Sequence, residues 1–253
     1  GYYKESGAFA EYTLANPLTT IKYNPEQIKT TALPEGETPG ANILNFEGAA
    51  SITLGLATVG LSFSNSLGLD ASSSANKDKY ILIWGGATAT GVLAIQIANL
   101  VYGLKVVTTA SKKHHQFLKS LGAEAVFDYR DVDVVSQIVK YGQGKIVYGF
   151  DTVSEQSTFQ SLYDATTGPS KTWLDNLLMI LADQIKTDES RDANISSTMS
   201  YFALGEDVHF GPKVFKWSQE IQDKYNYFWG HLLPPVLPKL KTTNLKVLKS
   251  GLE

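Results

Sequence analysis

The stretch from residue 80 to residue 92 constrains the fold of this chain more than any other. Residues 80–84 (YILIW) are all apolar, which is typical of a strand buried on both faces of a parallel sheet. The glycine-rich segment 85–91 (GGATATG) follows directly, and an apolar helix begins at Val92. Such a turn brings several backbone N–H groups to the positive end of a helix, a geometry that suits a pyrophosphate. The stretch therefore predicts a nucleotide-binding strand–turn–helix unit.

Strand-like and helix-like segments continue to alternate after this unit. We expect strands at 105–109, 125–128, 146–150, 173–180 and 200–204, and helices at 92–102, 112–121, 131–141 and 155–165. Alternation at this spacing predicts an α/β fold, a doubly wound parallel Rossmann sheet with right-handed crossovers. A buried helix or helix pair is expected before it, at 45–69, where small and apolar residues dominate. The polar segment 182–198 is expected to be a surface excursion outside the sheet.

The two ends of the chain differ in composition from the alternating centre. Residues 8–14 alternate in part and predict an antiparallel strand, while residues 15–40 contain four prolines and predict mostly loop. Prolines and tryptophans again crowd the chain beyond Gly205. We therefore divide the chain into a first part at 1–42, a Rossmann domain at 43–205, and a return to the first part at 206–253.

Charge and composition exclude several classes of function. The formal charge of −3 gives no global field that would attract nucleic acid. The chain has no cysteine, which excludes disulfides, thiolate zinc sites and a thiol nucleophile. The apolar stretch 92–104 is interrupted by Gln96 and Asn99 and is too short to span a bilayer. We expect no membrane insertion, and a cytoplasmic location with the nucleus as an alternative.

The segment after the second strand indicates which nicotinamide cofactor binds. Sites for NAD place an acidic residue there for the ribose hydroxyls, and this chain has none. Ser111, Lys112, Lys113 and His114 stand there instead, a hydroxyl and a cationic cluster suited to a 2′-phosphate. NADPH is therefore favoured, although the same run also fits a solvated helix start. Tyr129 comes after the third strand. It is expected to flank either this phosphate or the edge of the adenine, and the alternative is an aromatic side chain packed on the surface.

The adjacent histidines His114 and His115 raise the alternative of a metal site. On a helix, neighbouring side chains point about 100° apart, and no third ligand is evident in the sequence. His209 and His231 are equally unsupported and are assigned to packing or to the surface. We therefore predict no metal.

Short motifs in a fixed order connect the beginning and the centre of the chain. They are GAFAEY at 7–12, EGAA at 47–50, GGATATG at 85–91 with AIQIA at 94–98, KSLGA at 119–123, FDYR at 127–130 and FDTV at 150–153. In this order they resemble the zinc-independent, quinone-reductase-like branch of the medium-chain dehydrogenase/reductase superfamily. The turn variant, with ALG at 203–205 and FGP at 210–212, is especially similar to a fungal branch that includes trans-acting enoyl reductases.

The resemblance implies an enzyme that transfers a hydride from NADPH to an activated alkene, a quinone or a carbonyl, without zinc. It implies that residues 1–42 and the end of the chain are remnants of a GroES-like, β-rich catalytic domain, with segments missing at both ends. In relatives, the position of Thr58 holds the nicotinamide carboxamide, the backbone of 88–92 holds the pyrophosphate, and Val153 lies near the nicotinamide ribose. Relatives often have a lysine at the position of His114, so the phosphate contact would pass to a neighbouring lysine. The full set of expected cofactor contacts is Thr58, Gly85, Thr88, Ala89, Thr90, Gly91, Val92, Ser111, Lys112, Lys113, His114, Tyr129, Val153 and Leu204.

Two other functions stay open on the sequence alone. One is a non-catalytic NADPH-binding module that acts in sensing or RNA contact, which the charge balance does not favour. The other is a methyltransferase, which would want an acidic residue after the second strand, where Thr109 to Lys113 supplies none. The expected partner is a small-molecule substrate. The chain is expected to be a monomer or a homodimer, and by analogy the sixth strand, placed at 200–204, would pair across the dimer.

Overall fold

The computed structural model describes residues 12–29, 31–71 and 76–249. Its strands are β1 (Gly36–Thr38), β2 (Tyr80–Trp84), β3 (Lys105–Thr109), β4 (Ala123–Phe127), β5 (Ile146–Asp151), β6 (Lys171–Asn176), β7 (Asp192–Ser197), β8 (Val208–Phe210), β9 (Lys213–Phe215) and β10 (Leu245–Val247). Its α-helices are α1 (Phe46–Leu61), α2 (Ala89–Leu100), α3 (His115–Ser120), α4 (Val134–Gly142), α5 (Gln156–Ala165) and α6 (Gln219–Tyr227).

Six of the strands form one parallel sheet in the order β4-β3-β2-β5-β6-β7. The chain starts at the centre with β2, builds outward to β4, and then returns to place β5 on the other side of β2. Helices follow most of the strands and cover the sheet, which confirms the predicted doubly wound α/β fold. The reversal places a topological switch point at the carboxyl ends of β2, β3 and β5, where such sheets form a crevice.

The sixth strand lies elsewhere than the sequence predicts. Residues Ser200–Leu204 form a 3₁₀ helix, and the edge strand of the sheet is β7, inside the segment expected to be a surface excursion. An edge strand is only half buried, so the polar sequence DANISS is compatible with it. The apolar sequence of 200–204 is explained by packing between helices. Ala203 is buried against α1 and α6, not against the sheet.

The predicted buried helix at 45–69 is confirmed as α1, followed by a π-helical turn at Ser62–Ser66. The side chain of Asn45 caps α1 by accepting a hydrogen bond from the Gly48 N–H at 2.8 Å. The helical stretch Phe46–Ser66 is long and apolar enough to cross a membrane, but 56% of its most apolar window is buried inside the protein. Its inward residues, among them Ile52 and Leu56, belong to the main hydrophobic core together with α2.

Outside the central sheet, the described residues form two small antiparallel pairs, β1 with β10 and β8 with β9. The first pair joins the beginning of the described chain to its end, with Gly36 opposite Val247. Residues 15–40 are mostly loop, as predicted, with one 3₁₀ turn at Pro17–Thr19. Of the strand expected at 8–14, residues 8–11 lie outside the described part, and Tyr12 to Leu14 are not in a strand.

Candidate functional site

A cavity of about 550 Å³ opens at the switch point of the sheet. It lies where the glycine-rich turn after β2, the segment after β3 and the loop after β5 meet. Its lining residues are Trp84, Gly85, Ala87, Thr88, Thr109, Ala110, Ser111, His114, Tyr129, Val153, Glu155 and Thr158. The sequence predicts six of them as cofactor contacts, namely Gly85, Thr88, Ser111, His114, Tyr129 and Val153. The fold therefore brings these six positions together around one opening.

The glycine-rich turn is held against β3 and the loop after β5. Gly85 has a φ of +84°, and a Cβ atom there would lie 2.6 Å from Cγ2 of Val153, so this position needs glycine for conformation and for space. The Gly85 N–H donates to Oγ1 of Thr109 at 3.0 Å, and the Gly86 N–H donates to the Thr109 carbonyl at 2.9 Å. The turn is thus fixed before any ligand binds.

Helix α2 starts at Ala89, three residues before the predicted Val92. Thr88 is its N-cap, and its Oγ1 accepts the Gly91 N–H at 2.9 Å. A Cβ atom on Gly91 would collide with the Gly85 carbonyl oxygen and the Gly86 backbone, so this glycine lets the helix start pack on the turn. The N–H groups of Ala89 and Thr90 belong to the first helical turn and carry no hydrogen bond to any described residue. They are the donors that an anion can use here.

The loop after β5 is organised by the buried carboxylate of Asp151. Its Oδ1 accepts the N–H groups of Val153 and Ser154 at 2.9 Å each, and its Oδ2 accepts the Thr158 hydroxyl at 2.6 Å. Burial raises the pKa of Asp151, while these hydrogen bonds act in the opposite direction. The carboxylate holds Val153 in the wall of the cavity and accepts the N–H of Ser154, whose φ is +62°.

The predicted 2′-phosphate cluster is only partly at the cavity. Ser111 and His114 line it, whereas Lys112 and Lys113 are exposed and are not among the lining residues. Partial burial lowers the pKa of His114, and the nearby charges of Lys113 and His115 lower it further. On this geometry the neutral imidazole and the serine hydroxyl face the cavity, and the lysine charges act from beside it.

Tyr129 lines the same cavity and remains 47% exposed, with the guanidinium of Arg130 5.3 Å from the centre of its ring. Thr58 lies on α1, nearly buried, and its hydroxyl donates to the Leu54 carbonyl at 2.8 Å. Leu204 ends the 3₁₀ helix at 200–204. Neither Thr58 nor Leu204 lines the cavity. Their roles in cofactor binding stay predictions.

The cavity also contains residues that the sequence reasoning did not select, among them Thr109, Glu155 and Thr158. Thr109 is the last residue of β3, so its position at the carboxyl end of a strand was the available signal. Glu155 and Thr158 come from the start of α5, whose distance from the turn depends on how the helix packs. Among the described residues, no group of three or more His, Asp or Glu side chains is arranged to hold a metal ion.

A second buried carboxylate, Asp175, lies at the end of the neighbouring strand β6. It is fully buried, and its Oδ2 accepts the hydroxyls of Ser62 and Thr198 at 2.6 Å each. Its Oδ1 accepts the Ser196 hydroxyl at 2.8 Å. Burial raises the pKa of Asp175 to about 6, although these hydrogen bonds lower it. The group ties the end of α1 to the adjacent strands β6 and β7.

Known proteins match this chain along most of its length. A family described as zinc-binding dehydrogenase matches residues 89–168. An uncharacterized protein of Saccharomyces cerevisiae is 33% identical over 256 residues, covering 99% of this chain and 68% of that protein. A trans-enoyl reductase of Gibberella zeae is 30% identical over 253 residues, covering 98% of this chain and 64% of the reductase. A trans-enoyl reductase of Alternaria alternata is 35% identical over 193 residues, covering 72% of this chain and 54% of that reductase.

Solved structures share the fold. The CurK enoyl reductase matches with a TM-score of 0.52 at 18% identity, covering 72% of this chain and 51% of that one. A NAD-dependent alcohol dehydrogenase matches with a TM-score of 0.54 at 19% identity, covering 77% and 51%. The chain therefore spans about two thirds of the length of its yeast relative and about half of these structures. Taken with the Rossmann sheet and its glycine-rich turn, the matches show that the chain belongs to the medium-chain dehydrogenase/reductase superfamily, among its quinone-reductase-like and enoyl-reductase-like oxidoreductases.

Proposed function

We propose that the protein is an NADPH-dependent reductase that transfers a hydride to an activated alkene, a quinone or a carbonyl, without zinc. The cavity at the switch point is the observation that carries this proposal. The glycine-rich turn lines this cavity together with Ser111 and His114, which follow β3, and with Val153 on the opposite wall. A nicotinamide dinucleotide needs three such contacts, one for its adenosine phosphate, one for its pyrophosphate and one for its nicotinamide ribose.

The residues of the cavity fit the cofactor by the chemistry of their donors. The absence of a Cβ atom at Gly85 lets the side chains of Thr152 and Val153 pack against the turn, and the N–H groups of Ala89 and Thr90 are available to a phosphate. Ser111 and His114 can donate to a 2′-phosphate, and no acidic side chain follows β3 to accept hydrogen bonds from a free 2′-hydroxyl. Glu155 is the acidic residue of the lining, and it comes from α5. The donor set supports NADPH over NADH.

Bound NADPH would supply the hydride, and the protein would hold the acceptor near it and exclude water. The trans-enoyl reductases among the relatives favour an alkene conjugated to a carbonyl as the acceptor. The chain has no cysteine that could bind a catalytic zinc ion, so hydrogen bonds would stabilise the developing enolate. A cytoplasmic location and a small-molecule substrate complete the proposal.

Calorimetric titration of the full-length protein with NADPH, NADH and S-adenosylmethionine tests the cofactor. We expect selective binding of NADPH, followed by oxidation at 340 nm when enones, quinones or aldehydes are added. Activity that survives extensive dialysis against a chelator would agree with a zinc-free mechanism. Binding of neither nicotinamide would overturn the proposal, and tight binding without turnover of any acceptor class would favour the non-catalytic module.

A further inference from the structure

Thr152 joins the glycine-rich turn to the loop after β5 through its hydroxyl group. Its Oγ1 lies 2.8 Å from the Trp84 carbonyl and 2.9 Å from the Gly85 carbonyl, and it donates to this pair. The same oxygen accepts the Thr88 hydroxyl at 2.9 Å, and Thr88 in turn accepts the Gly91 N–H. One series of hydrogen bonds therefore runs from the start of α2, through the loop after β5, to the end of β2.

This series depends on a side chain that dinucleotide-binding turns usually lack. The middle glycine of the common pattern is replaced by Thr88 in this chain. The Thr88 hydroxyl has one hydrogen, which it gives to Thr152, and its lone pairs cap the helix. A valine at position 152 would leave this donor without its acceptor. It would also remove one donor from each of the Trp84 and Gly85 carbonyls, which keep the backbone N–H groups of Thr152 and Thr88.

The segment that carries Thr152 also fixes the opposite wall of the cavity. Val153 follows directly and lines the cavity. The hydroxyl of Ser154 accepts the Leu177 N–H at 2.7 Å, which ties the same segment to the loop after β6. A displacement of Thr152 would therefore change the spacing between the phosphate-binding turn and the wall at Val153.

We propose that Thr152 is a positioning residue that sets this spacing for the cofactor, acting through the Thr88 hydroxyl. The inference rests on the proposed function, because the spacing matters only for a ligand that spans the turn and the Val153 wall. A dinucleotide does so, whereas adenosine 2′,5′-bisphosphate, which is only the adenosine end of NADPH, does not. The two ligands therefore separate a positioning effect from a collapse of the adenosine site.

Four variants of the full-length protein test the inference. Thr152→Val removes the hydroxyl at nearly constant shape, and Thr152→Ser keeps it. Thr88→Val removes the other half of the pair. The control is Thr166→Val, since Thr166 is a fully buried threonine at the end of α5 whose hydroxyl donates to the carbonyls of Leu162 and Tyr163, away from the cavity.

We expect Thr152→Val to raise the dissociation constant of NADPH about tenfold, the loss of about one hydrogen bond. Thr152→Ser and Thr166→Val should stay within about twofold of the unchanged protein, and adenosine 2′,5′-bisphosphate should bind the two Thr152 variants and Thr166→Val alike. The double variant of Thr88 and Thr152 should bind no more weakly than the weaker single variant, because both remove the same link. Equal losses in the valine and serine variants, or fully additive losses in the double variant, would overturn the inference.

Amide hydrogen exchange in the absence of ligand gives a readout that does not depend on the cofactor. The Gly91 N–H should exchange about tenfold faster in Thr152→Val and at an unchanged rate in Thr152→Ser. Unchanged exchange in the valine variant overturns the inference, whatever the protein binds. Failure of the unchanged protein to bind either nicotinamide overturns the proposed function instead, so the two failures are distinguishable.

Discussion

Replacing Asp175 with asparagine should make the protein more stable at neutral pH while changing little at acidic pH. The carboxylate is fully buried and surrounded by the hydroxyls of Ser62, Ser196 and Thr198. None of the salt bridges among the described residues involves it. Its negative charge therefore has only hydroxyl and backbone dipoles to replace the water that it loses on folding.

The size and sign of the effect follow from the pKa of Asp175, which burial raises from 3.8 to about 6. Between these two values the folded protein keeps a proton that the unfolded chain has released. The free energy of unfolding therefore falls as the pH rises through this window, and it levels off above about pH 6. At about 1.4 kcal/mol for each pKa unit, ionisation of this group costs the folded state about 3 kcal/mol at pH 7.

Asparagine cannot ionise. Its NH2 group can donate to the hydroxyls of Ser62 and Thr198, which now donate to Oδ2, while its carbonyl oxygen still accepts from Ser196. Urea denaturation at several pH values measures the difference in unfolding free energy between Asp175→Asn and the unchanged protein. We expect this difference to shift in favour of the variant by about 2 kcal/mol between pH 4.5 and pH 7.5. Asp188→Asn is the control, because Asp188 is exposed and the Ser190 hydroxyl holds its pKa below the usual range. A difference that stays constant with pH, or that turns against the variant as pH rises, would refute the reasoning.

Three further predictions concern the turn and the adenosine end of the cavity. Gly91→Ala should lower the melting temperature as well as remove cofactor binding, because its Cβ would meet the Gly85 carbonyl oxygen; Gly230→Ala, where nothing lies within 4 Å, should do neither in thermal melts. Ser111→Ala combined with His114→Ala should weaken NADPH about tenfold and leave NADH unchanged in calorimetry, and equal losses would contradict a 2′-phosphate contact. NADPH should bind more weakly as the pH rises from 6.5 to 8, because His114, whose pKa is lowered in the free protein, must take up a proton to pair with phosphate; a flat profile in the same assay would show that the imidazole does not pair with it.

The centre of the fold was predictable because its signals are local. The strand at 80–84 is apolar throughout and a glycine-rich turn follows it, so the two features together allow few alternatives. Strand β7 was missed because an edge strand needs no apolar run. Its serines are used for hydrogen bonds to Asp175 and Asn176, which only the folded sheet brings near.

The candidate site was predictable where its residues lie within a few positions after the end of a strand. Gly85, Ser111 and Val153 do so and reach the cavity. The lysines beside Ser111 have the expected charge but are exposed and lie outside the cavity lining, a placement that depends on the pitch of the short 3₁₀ turn at Lys112–His114. Glu155 reaches the cavity because of the way α5 packs in the fold. No pattern in the sequence predicts how close the start of that helix lies to the glycine-rich turn.

The pairing of β1 with β10 has a consequence for the order of folding. Every strand of the central sheet lies between these two in the sequence, so their contact closes a loop that contains nearly the whole described chain. Closing so long a loop is entropically costly until the intervening residues are already compact. We therefore expect the hydrogen bonds that support the pairing, such as Thr242 N–H to the Ala41 carbonyl, to form late. We expect them also to be lost first when the protein opens locally, while the parallel sheet is still intact.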